Sequence, residues 1–438
     1  MHIENLAFHW IGVATLVIFV VGYYLIAQEE RYHLDKAKPA LFVGTFLFIA
    51  IAFYYAINGL DLDIVKNQVE GIILEIAEIF FFLFVAMTFI EAMSDMGVFD
   101  RLKYNLISKG YNYRQLFWIT GFLAYFLSPF ADNLTAALIL SAALMAIEKN
   151  NKAFLVPAAV NIVIAANAGG VWSSFGNITT LMAWTAGKGQ FYDFLFLIPA
   201  SIASYLVTAF LLVRAVPEGK PTLEKETQEA PQMMYGAKMV IALGIFAIVS
   251  AVFSHQVLNL PATWGMLFGL SVLNIYLYDI KRRHKSNFNI FTSMSKIENN
   301  TLLFFFGILA AVGALHFIGW LAFVAQVYDP SILGATGANI GVGFISAVVD
   351  NVPVMSAVIK ANPDMGLDQW MLVTLTAGIG GSLISFGSAA GVAVMGKMQG
   401  IYTFGAHMRY AWMILLGYIV GVGVWFVQYE VLGLYIKG

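Results

Sequence analysis

The 438-residue sequence contains no cysteine. Disulfides, thiolate metal sites and cysteine nucleophiles are therefore excluded, while the compartment stays open. Charge is scarce too. Asp, Glu, Lys and Arg make up 11% of the chain, against roughly 25% in a soluble domain. The formal net charge is −2, so the balance asks for no polyanionic partner such as nucleic acid. What is abundant is apolar: 60% of the residues are hydrophobic and the mean hydropathy is +0.78. A water-soluble fold of this length needs a polar shell that this composition cannot supply. A cytosolic enzyme, a nucleic-acid binder and a disordered scaffold are excluded on that ground. The class that remains is an all-α polytopic membrane protein, with the lipid bilayer as its solvent and transport as its first candidate activity.

Crossing the hydrocarbon core takes about 20 apolar residues in a helix. Continuous stretches of that kind run over residues 6–27, 39–58, 71–93, 191–213, 236–254, 263–278, 302–327 and 410–432. The first lacks the basic start and small-residue cleavage site of a secretory leader, so it reads as a retained helix. Two more apolar stretches are interrupted. Residues 115–147 carry Ser128-Pro129-Phe130-Ala131-Asp132-Asn133-Leu134-Thr135 at their middle, and residues 331–360 carry Ser346-Ala347-Val348-Val349-Asp350-Asn351-Val352-Pro353. Each half is about 12 residues, or roughly 18 Å of helix, too short to span. The expectation is a re-entrant hairpin with its polar tip inside the membrane. Each is followed by a broken helix, over 153–187 and 369–397, opened by the Gly- and Ser-rich runs 169–177 and 380–388.

Charge placement tests this layout. If loops alternate sides and hairpins return to the side they entered, only Lys66, Lys188, Lys360 and Lys437 fall on one side. The other twenty of the 24 basic residues, Arg31, Lys225 and Lys285 among them, fall on the opposite side. The positive-inside rule makes that opposite side cytoplasmic. The reading is about ten full spans plus two hairpins, multi-pass in a bacterial-type inner membrane, with both termini outside. Residues 217–231 form a polar cytoplasmic linker, and the cluster 281–285 anchors at headgroups.

The interruptions repeat. Asp132-Asn133 and Asp350-Asn351 are 218 residues apart, as are Ser128 and Ser346; the Gly- and Ser-rich breaks are 211 apart. Two ordered matches at nearly one spacing indicate an internal duplication. Five spans separate the hairpins, so the second enters from the opposite side: an inverted repeat, with matching broken helices pointing to a midplane site. The chain divides accordingly into 1–68 (two helices), 69–214 (repeat 1), 215–299 (linker and two connecting helices) and 300–438 (repeat 2).

An ionised carboxylate inside a membrane usually marks an ion or proton pathway. Asp132 and Asp350 stand at the tips. One carboxylate holds either a proton or a small cation, and that exclusive occupancy suffices to couple two fluxes. Hard cations favour oxygen ligands. The candidates are Asp132, Asp350, the amide oxygens of Asn133 and Asn351, the hydroxyls of Ser174, Thr179, Thr180, Ser385 and Ser388, and carbonyls freed at the breaks. Each has a plainer alternative. Asn133 and Asn351 serve equally well as caps of the second hairpin helix, and the hydroxyls as back-bonds to the preceding turn. Glu75 and Glu78 share a helix face; Glu78 relays protons, senses pH, or is hydrogen-bonded in the bundle. Glu91 is interfacial. His316 is a satisfied polar contact or a pH sensor, and Lys397 a counter-charge or a snorkelling side chain.

These residues resemble a known family. The two tips, together with Asn167-Ala168-Gly169-Gly170 to Gly176-Asn177-Ile178-Thr179-Thr180 and Gly380-Gly381-Ser382-Leu383 to Gly387-Ser388-Ala389-Ala390-Gly391, are similar to the NhaD-type sodium/proton antiporters. Arsenite-type permeases and divalent-anion/sodium symporters share that superfamily. The likeness runs from about residue 75 to 418. It implies two inverted repeats, a homodimer, an elevator-type movement, and Na⁺ or Li⁺ leaving against entering H⁺, with no cofactor. It places ion and proton binding at Asp132, Asn133, Asn177, Thr179, Thr180, Asp350, Asn351, Ser385 and Ser388, and Na⁺ at Asp132, Asn133, Asn177, Asp350 and Asn351. The position of Asn177 is often Asp in that family, so one carboxylate is absent from the first site.

Two rivals remain at this stage. An anion or arsenite-type carrier would use the same scaffold, but an anion site wants cationic groups, and no Lys or Arg lies near either tip in the sequence. An intramembrane aspartyl protease would use two membrane aspartates, but resembles a Gly-x-Gly-Asp pattern absent at both.

Overall fold

The computed structural model describes residues 5–28, 32, 34–221, 231–284, 288–297 and 299–434. Arg31, Lys225, Lys285, Lys437 and the interior of the 217–231 linker lie outside them. Every regular element among the described residues is helical. The chain opens with α1 (Trp10–Ala27), α2 (Ala37–Ile57), α3 (Leu62–Asp95) and the short α4 (Val98–Ser108). Then α5 (Tyr113–Ala131) and α6 (Asn133–Ile147) meet at Asp132, and α7 (Lys152–Gly170) and α8 (Ile178–Thr185) flank a break. Next come α9 (Phe191–Leu195), α10 (Ile198–Leu212), α11 (Ala237–Gln256), α12 (Ala262–His284), α13 (Ile290–Ser295), α14 (Asn299–Ile318) and α15 (Leu321–Val327). The second half repeats the first: α16 (Gly334–Val348) and α17 (Asn351–Ala361) meet at Asp350, and α18 (Leu367–Gly380) and α19 (Ala389–Lys397) flank a break. The chain closes with α20 (Phe404–Met408) and α21 (Ala411–Phe426), which runs into a π turn over Val427–Val431.

Among the described residues, seven helical stretches are long and apolar enough to cross a membrane: α2, α3, α7, α9–α10, α11, α14 and α21 with its π turn. The apolar helices α1, α6 and α16 are shorter. Two local structures differ from the sequence expectation. Three of the four limbs are longer than the expected 12 residues: α5 has 19 and α6 and α16 have 15 each, while α17 has 11. An Asn112/Gln115 capping box starts α5 two residues before its apolar stretch, and Pro129 sits in its last turn, where α5 ends. The stretch 302–327 is not one helix. Gly319 takes φ +104, its N–H donates to the His316 carbonyl at 3.0 Å, and the Trp320 N–H to the Leu315 carbonyl at 3.0 Å. That is a glycine-dependent helix stop, after which α15 starts afresh.

Packing sorts the helices into two groups. In the first, α2 lies along α14 and α11 along α12, with α3 against α12 and α14. In the second, α5 packs on α7, α16 on α18 and α10 on α21, and α7 meets α18. Matching contacts recur at corresponding positions in the second group. Ser128 Oγ donates to the Ala166 carbonyl at 2.6 Å, and Ser346 Oγ to the Ala377 carbonyl at 2.7 Å. Gly169 and Gly380 also match: a Cβ on Gly169 would meet the Tyr125 carbonyl oxygen at 2.1 Å, and one on Gly380 the Gly343 carbonyl oxygen at 2.3 Å. Small residues let the backbones close to that distance. The second limbs cross over between halves, α19 packing on α6 and α8 on α17.

Candidate ion-binding site

The two tips are built alike. Asp132 has φ 59 and ψ 163, Asp350 φ 35 and ψ 139. They are two of the four non-glycine residues with positive φ among the described residues. Such a backbone costs of order 1–3 kcal/mol and clusters at functional sites. Both aspartates cap the helix that follows. Asp132 accepts the Thr135 N–H at 2.8 Å and the Thr135 hydroxyl at 3.1 Å; Asp350 accepts the Val352 N–H at 3.2 Å. A capping carboxylate also gains from the positive end of the helix dipole. The cap role offered to Asn133 and Asn351 therefore belongs to the aspartates. A cap must be non-helical, and the asparagines are already the first helical residues of α6 and α17, each 2% exposed. Asp350 is buried and Asp132 half-buried.

A residue outside the predicted ligand set joins the halves. Asn133 Nδ2 donates to Asn167 Oδ1 at 2.8 Å. Asn167 Nδ2 donates in turn to Ser382 Oγ and Ser388 Oγ, both at 2.8 Å. Hairpin 1, the end of α7 and the second break thus share one buried network. The sequence signal was an amide inside the apolar helix 153–168. The second half lacks the equivalent: 211 residues on from Asn167 stands Gly378. A Cβ there would meet Val171 Cγ1 at 2.0 Å, so the close contact with the first break leaves no room for a side chain. Asn351, the counterpart of Asn133, accordingly has a buried Nδ2 without a partner.

The breaks carry the remaining candidates. Asn177 and Ser388 cap the resumed helices α8 and α19 with nearly the same backbone, φ −147 with ψ 149 and 153. Thr180 is committed to that cap: its hydroxyl donates to the Asn177 carbonyl at 2.6 Å and accepts the Asn177 N–H at 3.3 Å. Asn177 Oδ1 accepts the Thr179 N–H at 3.4 Å, and Ser388 Oγ the Gly391 N–H at 3.3 Å. Five buried polar atoms of the predicted set have no hydrogen-bond partner: Ser174 Oγ, Ser385 Oγ, Thr179 Oγ1, Asn177 Nδ2 and Asn351 Nδ2. Buried polar groups are mostly satisfied; four of these atoms lie at the two breaks and the fifth beside the second tip, where a polar ligand could supply the missing partners. The carboxylate and hydroxyl oxygens among these residues are of the kind a hard cation takes. Among the described residues no three His, Cys, Asp or Glu cluster as a metal site would require.

The other candidates lie apart. Glu75 pairs with Lys360 at 2.6 Å. Glu78 lines cavities of about 790 and 390 Å³ on the side of Lys188 and Lys360. His316 is exposed, within electrostatic reach of Glu75 and Lys360. Lys397 is exposed and, with Asp35 and Lys36, lines a separate cavity of about 620 Å³. That cavity reaches Leu134 and Ala389, the residues next to Asn133 and Ser388. The sequence placed no cation near a tip, and here it is corrected. Lys36, at the start of α2, is within electrostatic reach of Asp350, with its ammonium 4.5 Å from the Phe304 ring centre. Chain separation hid it.

Membrane-length helices around two broken helices, with carboxylates where α5 meets α6 and α16 meets α17, fit a polytopic membrane transporter. Comparison with known proteins agrees. A family model described as citrate transporter, CitMHS, matches residues 15–380. The Na⁺/H⁺ antiporter NhaD of Vibrio cholerae is 41% identical, over 94% of this chain and 91% of that protein. The NhaD of Alkalimonas amylolytica is 39% identical over 94% and 90%, and sodium/proton antiporter 1 of Arabidopsis thaliana 28% over 94% and 72%. The chain belongs to the NhaD sodium/proton antiporters of the CitMHS family.

Proposed function

We propose that the protein exchanges cytoplasmic Na⁺, or Li⁺, for external H⁺, the ions competing for Asp132 and Asp350. One observation carries this reading: each tip sets a capping carboxylate beside a break holding buried, unpartnered hydroxyls, twice over. The names of the relatives support the same exchange. In this reading α5–α6 and α16–α17 are re-entrant hairpins in an inverted repeat of about ten spans. The cation-rich side is cytoplasmic and both termini are outside. The 620 Å³ cavity that stops beside Asn133 and Ser388 is then the cytoplasmic entrance.

The cycle follows from solvation. Na⁺ enters from the cytoplasm and displaces protons. The group containing α5–α8 and α16–α19 moves past the group containing α2, α3 and α11–α14 in an elevator-type step. Na⁺ leaves outside, protons neutralise the carboxylates, and the neutral site returns. The bare, doubly charged site does not cross, because uncompensated charge in a low-dielectric barrier is prohibitive. The protein works as a homodimer by family analogy.

The family description supplies a second reading, citrate transport, to which Lys36 would contribute a cation. Carboxylates at both tips oppose a tricarboxylate. The experiment is a ΔpH-dye assay on purified protein in acid-inside proteoliposomes. Collapse of the gradient by Na⁺ or Li⁺ but not choline is expected, with loss of the response in Asp132→Asn and Asp350→Asn. No response to any cation, or full activity in both variants, refutes the scheme; citrate uptake by the same vesicles would install the second reading.

A further inference from the structure

Glu75 and Lys360 form the ion pair that bridges the two helix groups among the described residues. The other pairs are local or stay on one group: Lys66 with Glu70, Arg114 with Glu218, Arg283 with Asp279, and Lys296 with Asp95. Glu75 belongs to α3, which packs with α12 and α14; Lys360 belongs to the last turn of α17, which packs on α14. The pair is well placed to act on the path to the second tip. From Asp350 to Lys360 is ten residues, or about 15 Å of helix. Ser356 lies one turn before Lys360 on the same helix face. It is 1% exposed, and its hydroxyl has no partner. Polar, buried and unsatisfied, it stands on α17 between Lys360 and Asp350. The Lys360 side chain is itself only 10% exposed, against 37% for Glu75, so the ammonium is covered in this state and the carboxylate supplies its partner.

We propose that Glu75–Lys360 is a latch on the external side. It ties the second hairpin to the α3 helix while the site faces the cytoplasm, and it must part before the site opens outward. This rests on the two-group movement proposed above. Separating the pair gives up the 2.6 Å charge-assisted contact between ammonium and carboxylate, which sets a barrier against outward opening that a loaded or neutralised site must overcome. Either neutral variant should therefore shift the population toward the outward-open state. A charge-reversed pair at the same two positions should restore the original population.

The cysteine-free chain makes the test direct. Ser356→Cys introduces one buried thiol, reporting access from outside to a membrane-impermeant cationic thiosulfonate in right-side-out vesicles. Glu75→Gln and Lys360→Gln in that background should each label at least threefold faster than the parent. The double variant Glu75→Lys/Lys360→Glu should return to the parent rate. Equal rates in the parent and both neutral variants overturn the latch; a double variant as fast as the single ones overturns the charge-pair account. Na⁺/H⁺ exchange is measured separately on the unmodified chain. An unmodified chain that exchanges no cation, beside a Ser356→Cys parent whose variants label as expected, removes the functional reading while leaving the latch standing.

Discussion

Asn167 offers the sharpest test of how the halves are joined. Replacing it by Ala removes three hydrogen bonds of 2.8 Å. Asn133 Nδ2, on a residue 2% exposed, is left without an acceptor, which costs about 1–3 kcal/mol. The two serine hydroxyls can re-aim, and Ser388 keeps the Gly391 N–H, so each lost bond there costs only about 0.5–1.5 kcal/mol. The sum is of order 3 kcal/mol, spread between folding and the organisation of the ion site. If half falls on the site, apparent Na⁺ affinity drops about tenfold, since 1.4 kcal/mol is a factor of ten. The assay is the half-maximal Na⁺ concentration for ΔpH collapse in proteoliposomes, with thermal unfolding read in parallel. Asn161→Ala is the control. It lies on the same helix and donates to the Phe117 carbonyl at 2.8 Å, within repeat 1 alone. It should lower the melting temperature and leave Na⁺ affinity unchanged. An Asn167→Ala protein with wild-type half-maximal Na⁺, or a control that shifts it equally, refutes the bridging role.

Gly380→Ala pushes a Cβ to 2.3 Å from the Gly343 carbonyl and should lose several kcal/mol or fail to fold. Gly341→Ala, with nothing within 4 Å, should be neutral or stabilise by about 0.5–1 kcal/mol; equal melting temperatures for the two would contradict the close helix crossing. Ser128→Ala and Ser346→Ala should destabilise to similar extents, about 1 kcal/mol each, as thermal unfolding would show. Glu148, in the loop after α6, tests pH dependence. Burial opposes its ionisation, but hydrogen bonds from the N–H of Asn150, the Tyr113 hydroxyl and the N–H groups of Asn151 and Lys149 outweigh it and hold the carboxyl below the ordinary range. A depressed carboxyl stabilises above its unfolded pKa, near 4.3, and loses that as pH falls through the lower folded value. Glu148→Gln should therefore melt lower than wild type at pH 7, with the gap closing below about pH 4; a gap independent of pH would exclude the charge.

The tips and breaks were legible because they violate the apolar pattern around them: Asp132, Asp350 and the two Gly- and Ser-rich runs stand out against membrane helix, and they recur at nearly one spacing, 218 and 211 residues. The cap assignment was not legible. It turns on a positive φ at Asp132 and Asp350, one residue away from where the sequence placed it. Asn167 was visible as a polar residue, but its three partners come from elements far apart in the chain. Lys36 beside Asp350 and Lys360 on Glu75 are likewise tertiary facts, invisible to any spacing argument. The stop at Gly319 went unread because an apolar run on both sides masked a single glycine turn.

Gly378 in the place of Asn167 has a thermodynamic consequence. A carrier made of two interchangeable inverted halves could swap their shapes and arrive at a mirror state of equal energy, so the two sides of the membrane would see it equally often. Every departure from that symmetry tilts the balance. Here repeat 1 reaches into repeat 2 through an amide, and repeat 2 cannot answer. In the proposed inverted repeat, Asn167 opposite Gly378 is one such departure, an amide in one half and a glycine packed against Val171 in the other, and it would bias the resting state toward one side.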